Sequence, residues 1–198
     1  PRRGTPSIRR RNMTNPTIAV ATLTKPVLAR YMDDLIALEE LIVAELGTLY
    51  DEHPWGVQEF ELDLPGKWDY SWCATDPDTE AAVGFLVISR FGDNLHGHRM
   101  VVHPEYRRLG IAGQFYDQLF AKAKAAGLGY YTAQVPYDNH ATRDWYLKRG
   151  HDLLTDLDLG WYIEARGITG EPAGDHLASD GGRFWILRYA IGSFTAPG

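Results

Sequence analysis

Cysteine is almost missing from this chain of 198 residues: Cys73 stands alone, so no internal disulfide can staple the fold and stability must come from a packed core. No apolar run approaches the roughly 20 residues that span a bilayer, and the N-terminus holds no apolar signal core. Both absences predict a protein of the reducing cytoplasm without a membrane partner. Basic residues are also missing over a long stretch. Between residues 31 and 66 no Lys or Arg occurs, against Asp33, Asp34, Glu39, Glu40, Glu45, Asp51, Glu52, Glu59, Glu61 and Asp63. A sector of that sign repels polyanions and draws cations, which speaks against nucleic acid and for a cationic partner. Most of these acids read as a solvated helix face, with one or two left to line a cleft.

What is present suits one globular domain: 44% hydrophobic and 12% aromatic residues, no internal repeat and no linker. The formal net charge of −6 becomes −11 once residues 1–16, with five arginines and no acid, are set aside. That segment reads as a disordered basic leader, with Met13 as the natural start, more readily than as a nucleic-acid-binding arm. Residues 17–198 form the domain.

Residues 17–22, rich in β-branched side chains, predict a first edge strand. Leu28, Tyr31/Met32, Leu35, Leu38, Ile42, Leu46 and Leu49 recur every three or four positions, a helix from Lys25-Pro26 to about Tyr50. Residues 51–66 read as an irregular connection with a short extended piece placing Phe60, Leu62 and Leu64 on one face. Trp68, Tyr70, Trp72 and Ala74 alternate and should pair with residues 81–90 as a hairpin; residues 95–102 make the next strand. A helix opened by Gly110 carries Phe115, Leu119, Phe120 and Ala123 and stops at Gly127. Residues 130–135 then form a buried strand, reached by a right-handed crossover and so parallel to 95–102. A helix near 141–149, closing strands near 151–163 and 184–191, and a loop over 164–182 complete the chain. The expected class is α/β: a mixed, mostly antiparallel sheet of about six to seven strands with helices on both faces.

Residues 101–113, V-V-H-P-E-Y-R-R-L-G-I-A-G, carry the strongest functional signal. An apolar strand there meets a Gly/Ala-rich turn that opens a helix, and the first N–H groups of a helix lack internal partners and sit in positive potential. Gly110, Ala112 and Gly113 keep the turn uncluttered while Arg107 and Arg108 bring charge to its rim. Neither the P-loop nor the G-x-G-x-x-G pattern fits: no Gly-Lys-Ser/Thr follows, and the glycine spacing is wrong. Downstream, N-H-A-T-R-D-W-Y-L-K-R-G-H places Asn139, Tyr146 and Gly150 around a short helix. Ahead of the turn, His96-Gly97-His98 puts two imidazoles on one strand face. Such a pair also suits a metal, but no Cys or His cluster supplies a third ligand, so no metal is expected. An imidazole near its reference pKa of about 6.5 can take the proton an ammonium must lose.

Arg107-x-x-Gly110-x-Ala112, after Val102-His103-Pro104, resembles the acyl-CoA pyrophosphate loop of the GNAT superfamily of N-acetyltransferases, and Asn139, Tyr146 and Gly150 resemble its later motif. The departures are Thr142, where a small apolar residue is usual, and His151 in place of Phe. The resemblance implies a GNAT-like fold and acetyl-CoA as cosubstrate. It places the pantetheine along Met100, Val101 and Val102, and the diphosphate on the turn formed by Arg107, Arg108, Leu109, Gly110, Ile111, Ala112 and Gly113. Asn139 and Tyr146 would complete the coenzyme site, Tyr146 aiming its phenol at the departing sulfur as general acid. The string H-G-H-R-M-V-V-H-P-E-Y-R-R-L-G is similar to the corresponding run of the arylalkylamine N-acetyltransferases, in which the His-x-His pair accepts a proton. His98 is then the first candidate base, His96 the second, and Glu59, through water, the reserve. Cys73, on an apolar strand, reads as a structural thiol, so transfer is direct. Among Trp55, Phe60, Trp68, Tyr70 and Trp72, most read as core and a few as the apolar wall of an amine pocket. The expected activity is acetyl transfer from acetyl-CoA to a primary amine of a small molecule or peptide. The alternatives are a non-catalytic acyl-CoA-binding or sensing domain, or an acetyltransferase of protein N-termini or lysines. The oligomeric state stays open, a homodimer being compatible.

Overall fold

The computed structural model describes residues 17–47 and 53–192. Strand β1 (Ala19–Thr22) leads into helix α1 (Lys25–Leu46), which Thr24 starts by accepting the Val27 N–H on its hydroxyl and which Gly47 caps; the expected continuation to about Tyr50 lies outside the described residues. Leu28, Leu35, Leu38 and Ile42 are its buried stripe. Two short helical pieces follow, α2 (Val57–Glu61) and α3 (Lys67–Tyr70), then strands β2 (Trp72–Asp76), β3 (Ala81–Phe91) and β4 (Asn94–Val102). A 3-10 turn at Pro104–Tyr106 joins β4 to α4 (Ile111–Ala125), and β5 (Tyr130–Pro136) and α5 (His140–Leu147) come next. The chain closes through β6 (Asp152–Leu153), α6 (Asp156–Arg166), β7 (Glu171–Pro172), β8 (Leu177–Ser179) and β9 (Gly182–Ala190).

Nine strands make one sheet in the order β1-β2-β3-β4-β5-β9-β8-β7, with β6 also on β9; every described pairing is antiparallel except β4 with β5. The excess over the expected six to seven strands comes from the short strands β7 and β8, which pair within residues 164–182 where a loop was expected, while β6 is the two-residue remnant of the strand expected near 151–163. Helices α4 and α5 cover one face, where Phe115, Leu119 and Tyr146 pack on Leu86, Ile88, Leu95 and Val135. The other face carries α1 and α2, through Leu35, Leu38, Ile42 and Phe60 on Phe85, Val87 and Val101, and beside them α6, through Leu159 and Tyr162 on Leu154 and Ile186. No helix among the described residues is long and apolar enough to cross a membrane.

Three expectations are corrected. Residues 57–61 are helical rather than extended because the Glu59 carboxylate accepts the Gly56 N–H at 2.9 Å and closes a capping box; Phe60 is buried while Leu62 is exposed. Residues 67–70 turn instead of joining β2, since Lys67 is buried and donates to the carbonyls of Phe60 (2.5 Å) and Leu62 (2.8 Å). Residues 156–166 are helix α6 and not strand: Asp156 and Asp158 lie in its first turn, Gly167 caps it at φ 60°, and the buried residues Leu159 and Tyr162 are three apart.

Two irregularities shape the centre of the sheet. The parallel register covers only Leu95–Tyr131, His96–Thr132 and Gly97–Ala133, beyond which β4 and β5 part. Against β3, β4 jumps from Gly97 (opposite Ile88) to Arg99 (opposite Val87), so His98 is an extra, bulged residue.

Candidate active site

Where β4 and β5 part, two cavities open. One, of about 410 Å³, lies against the helix turn and is lined by Met100, Val101, Val102, Arg107, Ala112, Tyr131, Asn139, Trp145 and Tyr146 among others. The second, of about 670 Å³, is lined by His53, Trp55, His96, Tyr137, Asp138, Arg183 and Phe184. Gly97, His98, Arg99, Gln134 and Pro136 belong to both, so the cavities meet in a throat between the two strands.

At the mouth of the smaller cavity the turn has the geometry an anion requires. Gly110 caps α4 in the left-handed region (φ 81°), and Gln114 is the first residue to bond back into the helix, at 3.0 Å to the Gly110 carbonyl. The N–H groups of Ile111, Ala112 and Gly113 therefore have no helical partner. No atom lies within 4 Å of where a Cβ would stand on Gly110 or Gly113. Arg108 is exposed and also left-handed (φ 66°), while the side chains of Leu109 and Ile111 pack into the core and leave only main chain to the turn. Val101 likewise turns its side chain to the α1 face. Arg107 is engaged elsewhere: its guanidinium grips Glu45 of α1 with two bonds of 2.7 Å. Asn139 caps α5, accepting the Thr142 N–H at 3.1 Å.

The two predicted chemistries lie on opposite faces of β4. Gly97 faces the α4 side, where a Cβ would overlap the Tyr131 hydroxyl and come 2.9 Å from its Cζ. There Tyr116, Tyr131 and Tyr146 meet through their hydroxyls, Tyr116 donating to Tyr146 at 2.8 Å. Burial pushes all three phenols above their ordinary range, and hydrogen bonds from Tyr116 and Tyr131 act against that rise at Tyr146. His96 and His98 lie on the other side, rings 4.9 Å apart. His98 Nε2 is 2.8 Å from Ser89 Oγ, and His96 Nδ1 is 3.1 Å from Thr132 Oγ1. Burial, then Arg166, Lys67 and Arg99, pull His98 down to about 4; burial, Arg166 and His98 push His96 well below its ordinary value. Both rings are thus neutral at pH 7, and neither sits at the reference value near which a solvated imidazole titrates.

The remaining candidates are placed outside the throat. Glu59 spends its carboxylate on Gly56 and lines neither cavity. Cys73 is buried on β2, its thiol pushed up to about 12 by burial and Asp34, and it lines neither cavity. The acidic sector is largely used internally: Asp34 accepts the Ala82 N–H, Glu45 holds Arg107, and fully buried Glu39 accepts the Trp55 N–H at 3.2 Å beside Arg99. Asp51 and Glu52 lie outside the described residues. Of the five aromatics singled out for an amine pocket, Trp55 alone lines a cavity, its ring 5.0 Å from the Arg99 guanidinium. Sequence reasoning missed Arg99, Gln134, Tyr116 and Tyr131. The last two were hidden as ordinary aromatics on a helix face and in an apolar strand, and only the glycine between the two histidines hinted that something large crosses β4.

A parallel strand pair that opens into a two-mouthed cleft, with an anion-accepting turn at one mouth, suits group transfer from a phosphorylated carrier. The sequence pattern of the Acetyltransferase (GNAT) family matches residues 35–151, more than half of the chain, and the chain belongs to that family. Its fold is similar to that of the ribosomal-protein-S18-alanine N-acetyltransferase from Escherichia coli (TM-score 0.62, 13% identity, covering 91% of this chain and 97% of that one). It is also similar to Ard1 from Thermoplasma volcanium (0.60, 15%, 87% and 97%) and to the PaiA N-acetyltransferase from Thermoplasma acidophilum, solved with coenzyme A (0.55, 13%, 88% and 99%).

Proposed function

We propose that this acetyltransferase moves an acetyl group from acetyl-CoA directly to a primary amine, of a small molecule or a peptide, drawn into the larger cavity. The observation that carries the reading is the throat, where a phenol of one cavity and an imidazole shared by both flank the same gap between β4 and β5. Acetyl-CoA brings the activated thioester. The residues present fit such a carrier: the free N–H groups at Ile111, Ala112 and Gly113 accept its diphosphate, with open space before them. The edge of β4 at Met100–Val102, released from β5, offers main-chain groups to the pantetheine.

His98, neutral and held toward Ser89, takes the proton from the attacking nitrogen, which grows more acidic as its bond to carbon forms. His96 backs it from the same face. Arg99, Lys67 and Arg166, which keep His98 neutral, equally disfavour an ammonium beside it, so the amine enters the throat unprotonated. Tyr146, lining the coenzyme cavity, gives its proton to the sulfur as it leaves. The buried Cys73 takes no covalent part.

Thiol release from acetyl-CoA across a panel of alkyl, arylalkyl, amino-acid and peptide amines tests the reading. Turnover with at least one amine, together with binding of coenzyme A that disappears in Gly110→Trp, is the expected result. Coenzyme A binding without turnover of any amine would overturn it in favour of a binding-only domain.

A further inference from the structure

Tyr146 does not stand alone. Its oxygen is 2.8 Å from that of Tyr116 on α4 and 3.5 Å from that of Tyr131 on β5, and those two are 2.8 Å from each other. All three side chains are buried, and the rings of Trp145 and His151 pack against them. Each hydroxyl has one proton to give and room to accept, so a relay from Tyr131 to Tyr116 to Tyr146 needs no water or charged partner within it and leaves the Tyr146 proton unspent. It is not symmetric. Tyr146 and Tyr131 line the coenzyme cavity, Tyr116 stands behind them, and Tyr116 donates to Tyr146. That donation leaves the Tyr146 proton free for the cavity. The backbone is shaped around the arrangement as well, because any side chain at position 97 would collide with the Tyr131 phenol.

We propose that Tyr116 and Tyr131 are positioning residues of the leaving-group step: they hold the Tyr146 oxygen as the vertex from which a proton departs and share the charge that remains. This rests on the general-acid reading of Tyr146. As the carbon–sulfur bond breaks, its electron pair goes to sulfur; the Tyr146 O–H bond breaks and an S–H bond forms. The Tyr146 phenolate accepts hydrogen bonds from Tyr116 and Tyr131 and later regains a proton from solvent, balancing the one His98 returns. Hydrogen bonds from two neutral donors favour the ionised form of the acceptor, so the triangle makes Tyr146 a better acid than a lone buried phenol.

The test is a double-mutant cycle on the full chain, using acetyl-CoA and the best acceptor of the amine panel. Tyr116→Phe should lower kcat about tenfold, leave KM for acetyl-CoA within about twofold, and cost nothing more in a Tyr146→Phe background. Tyr131→Phe should behave alike and carries the test if Tyr116→Phe fails to fold. An equal loss in both backgrounds, or a loss confined to KM, overturns the proposal. Wild-type kcat in Tyr146→Phe alone would instead overturn the general-acid reading beneath it, a distinguishable pattern.

Discussion

The two faces of β4 solve one problem by different physics. Around Gly97 the phenols keep their protons because they are buried, and the hydrogen bonds among them decide which oxygen gives its proton most readily. One residue to either side, His96 and His98 stay neutral because burial and nearby cations, Arg166 at both and Lys67 and Arg99 at His98, penalise a further positive charge. Phenols and imidazoles are both uncharged at neutral pH, yet the first set depends on contacts and the second on a field. Contacts fail when a shape changes; a field fails when pH does.

Acid should therefore break the imidazole side, with the largest effect. His98 is lowered to about 4 and His96 is held well below its ordinary value, as is His151, at about 4, behind the phenols, while the unfolded chain binds these protons near its ordinary value of 6.5. The unfolded state holds more protons over that window, so stability falls as pH drops from about 6.5 to about 4, by roughly 3 kcal/mol for each of His98 and His151 when complete. Urea midpoints at pH 7 and pH 4.5 measure it; coincident midpoints would show that the rings are not neutral and buried. On the phenol side, Tyr146→Phe should lower kcat about 100-fold at pH 7 while calorimetry finds unchanged affinity for coenzyme A. Gly97→Ala attacks the boundary itself. Its methyl displaces Tyr131, and a loss of about 1–3 kcal/mol in denaturant unfolding, with reduced kcat, is expected.

His151→Phe should do the opposite, since neither ring nitrogen of this buried histidine has a side-chain hydrogen-bond partner among the described residues. A gain of about 1–2 kcal/mol at pH 7, and a larger one at pH 4.5, follows from removing that penalty. Glu45→Gln is the mildest. Breaking the half-exposed Glu45–Arg107 pair costs about 0.2–1 kcal/mol of stability but frees Arg107 for the diphosphate, so coenzyme A should bind a few-fold tighter. Unchanged affinity would mean that Arg107 never turns to the coenzyme.

What was legible beforehand divides along similar lines. The cofactor half is local in sequence: strand, turn and helix follow one another over residues 94–125, and the Gly110 cap, the apolar stripe of α4 and the parallel β5 were all readable from spacing. The other half depends on partners far apart. A closing strand was expected near residues 151–163, but Leu157 is 91% exposed and the 159/162 pair is what packs. The turn at residues 67–70 depends on a lysine folding back onto carbonyls of the preceding segment. The lowering of the histidines comes first from burial and then from Arg166, distant in sequence, and the engagement of Arg107 from a glutamate 62 positions away. Periodicity reports which face is buried; it says nothing of which charge will arrive there.

The shared throat of Gly97, His98, Arg99, Gln134 and Pro136 has a consequence for acyl selectivity. On the proposed placement of donor and amine, every carbon added to the donor chain would advance through that neck toward the amine. Bulky acceptors and long acyl groups would then compete for one room, a size limit that neither cavity alone would set.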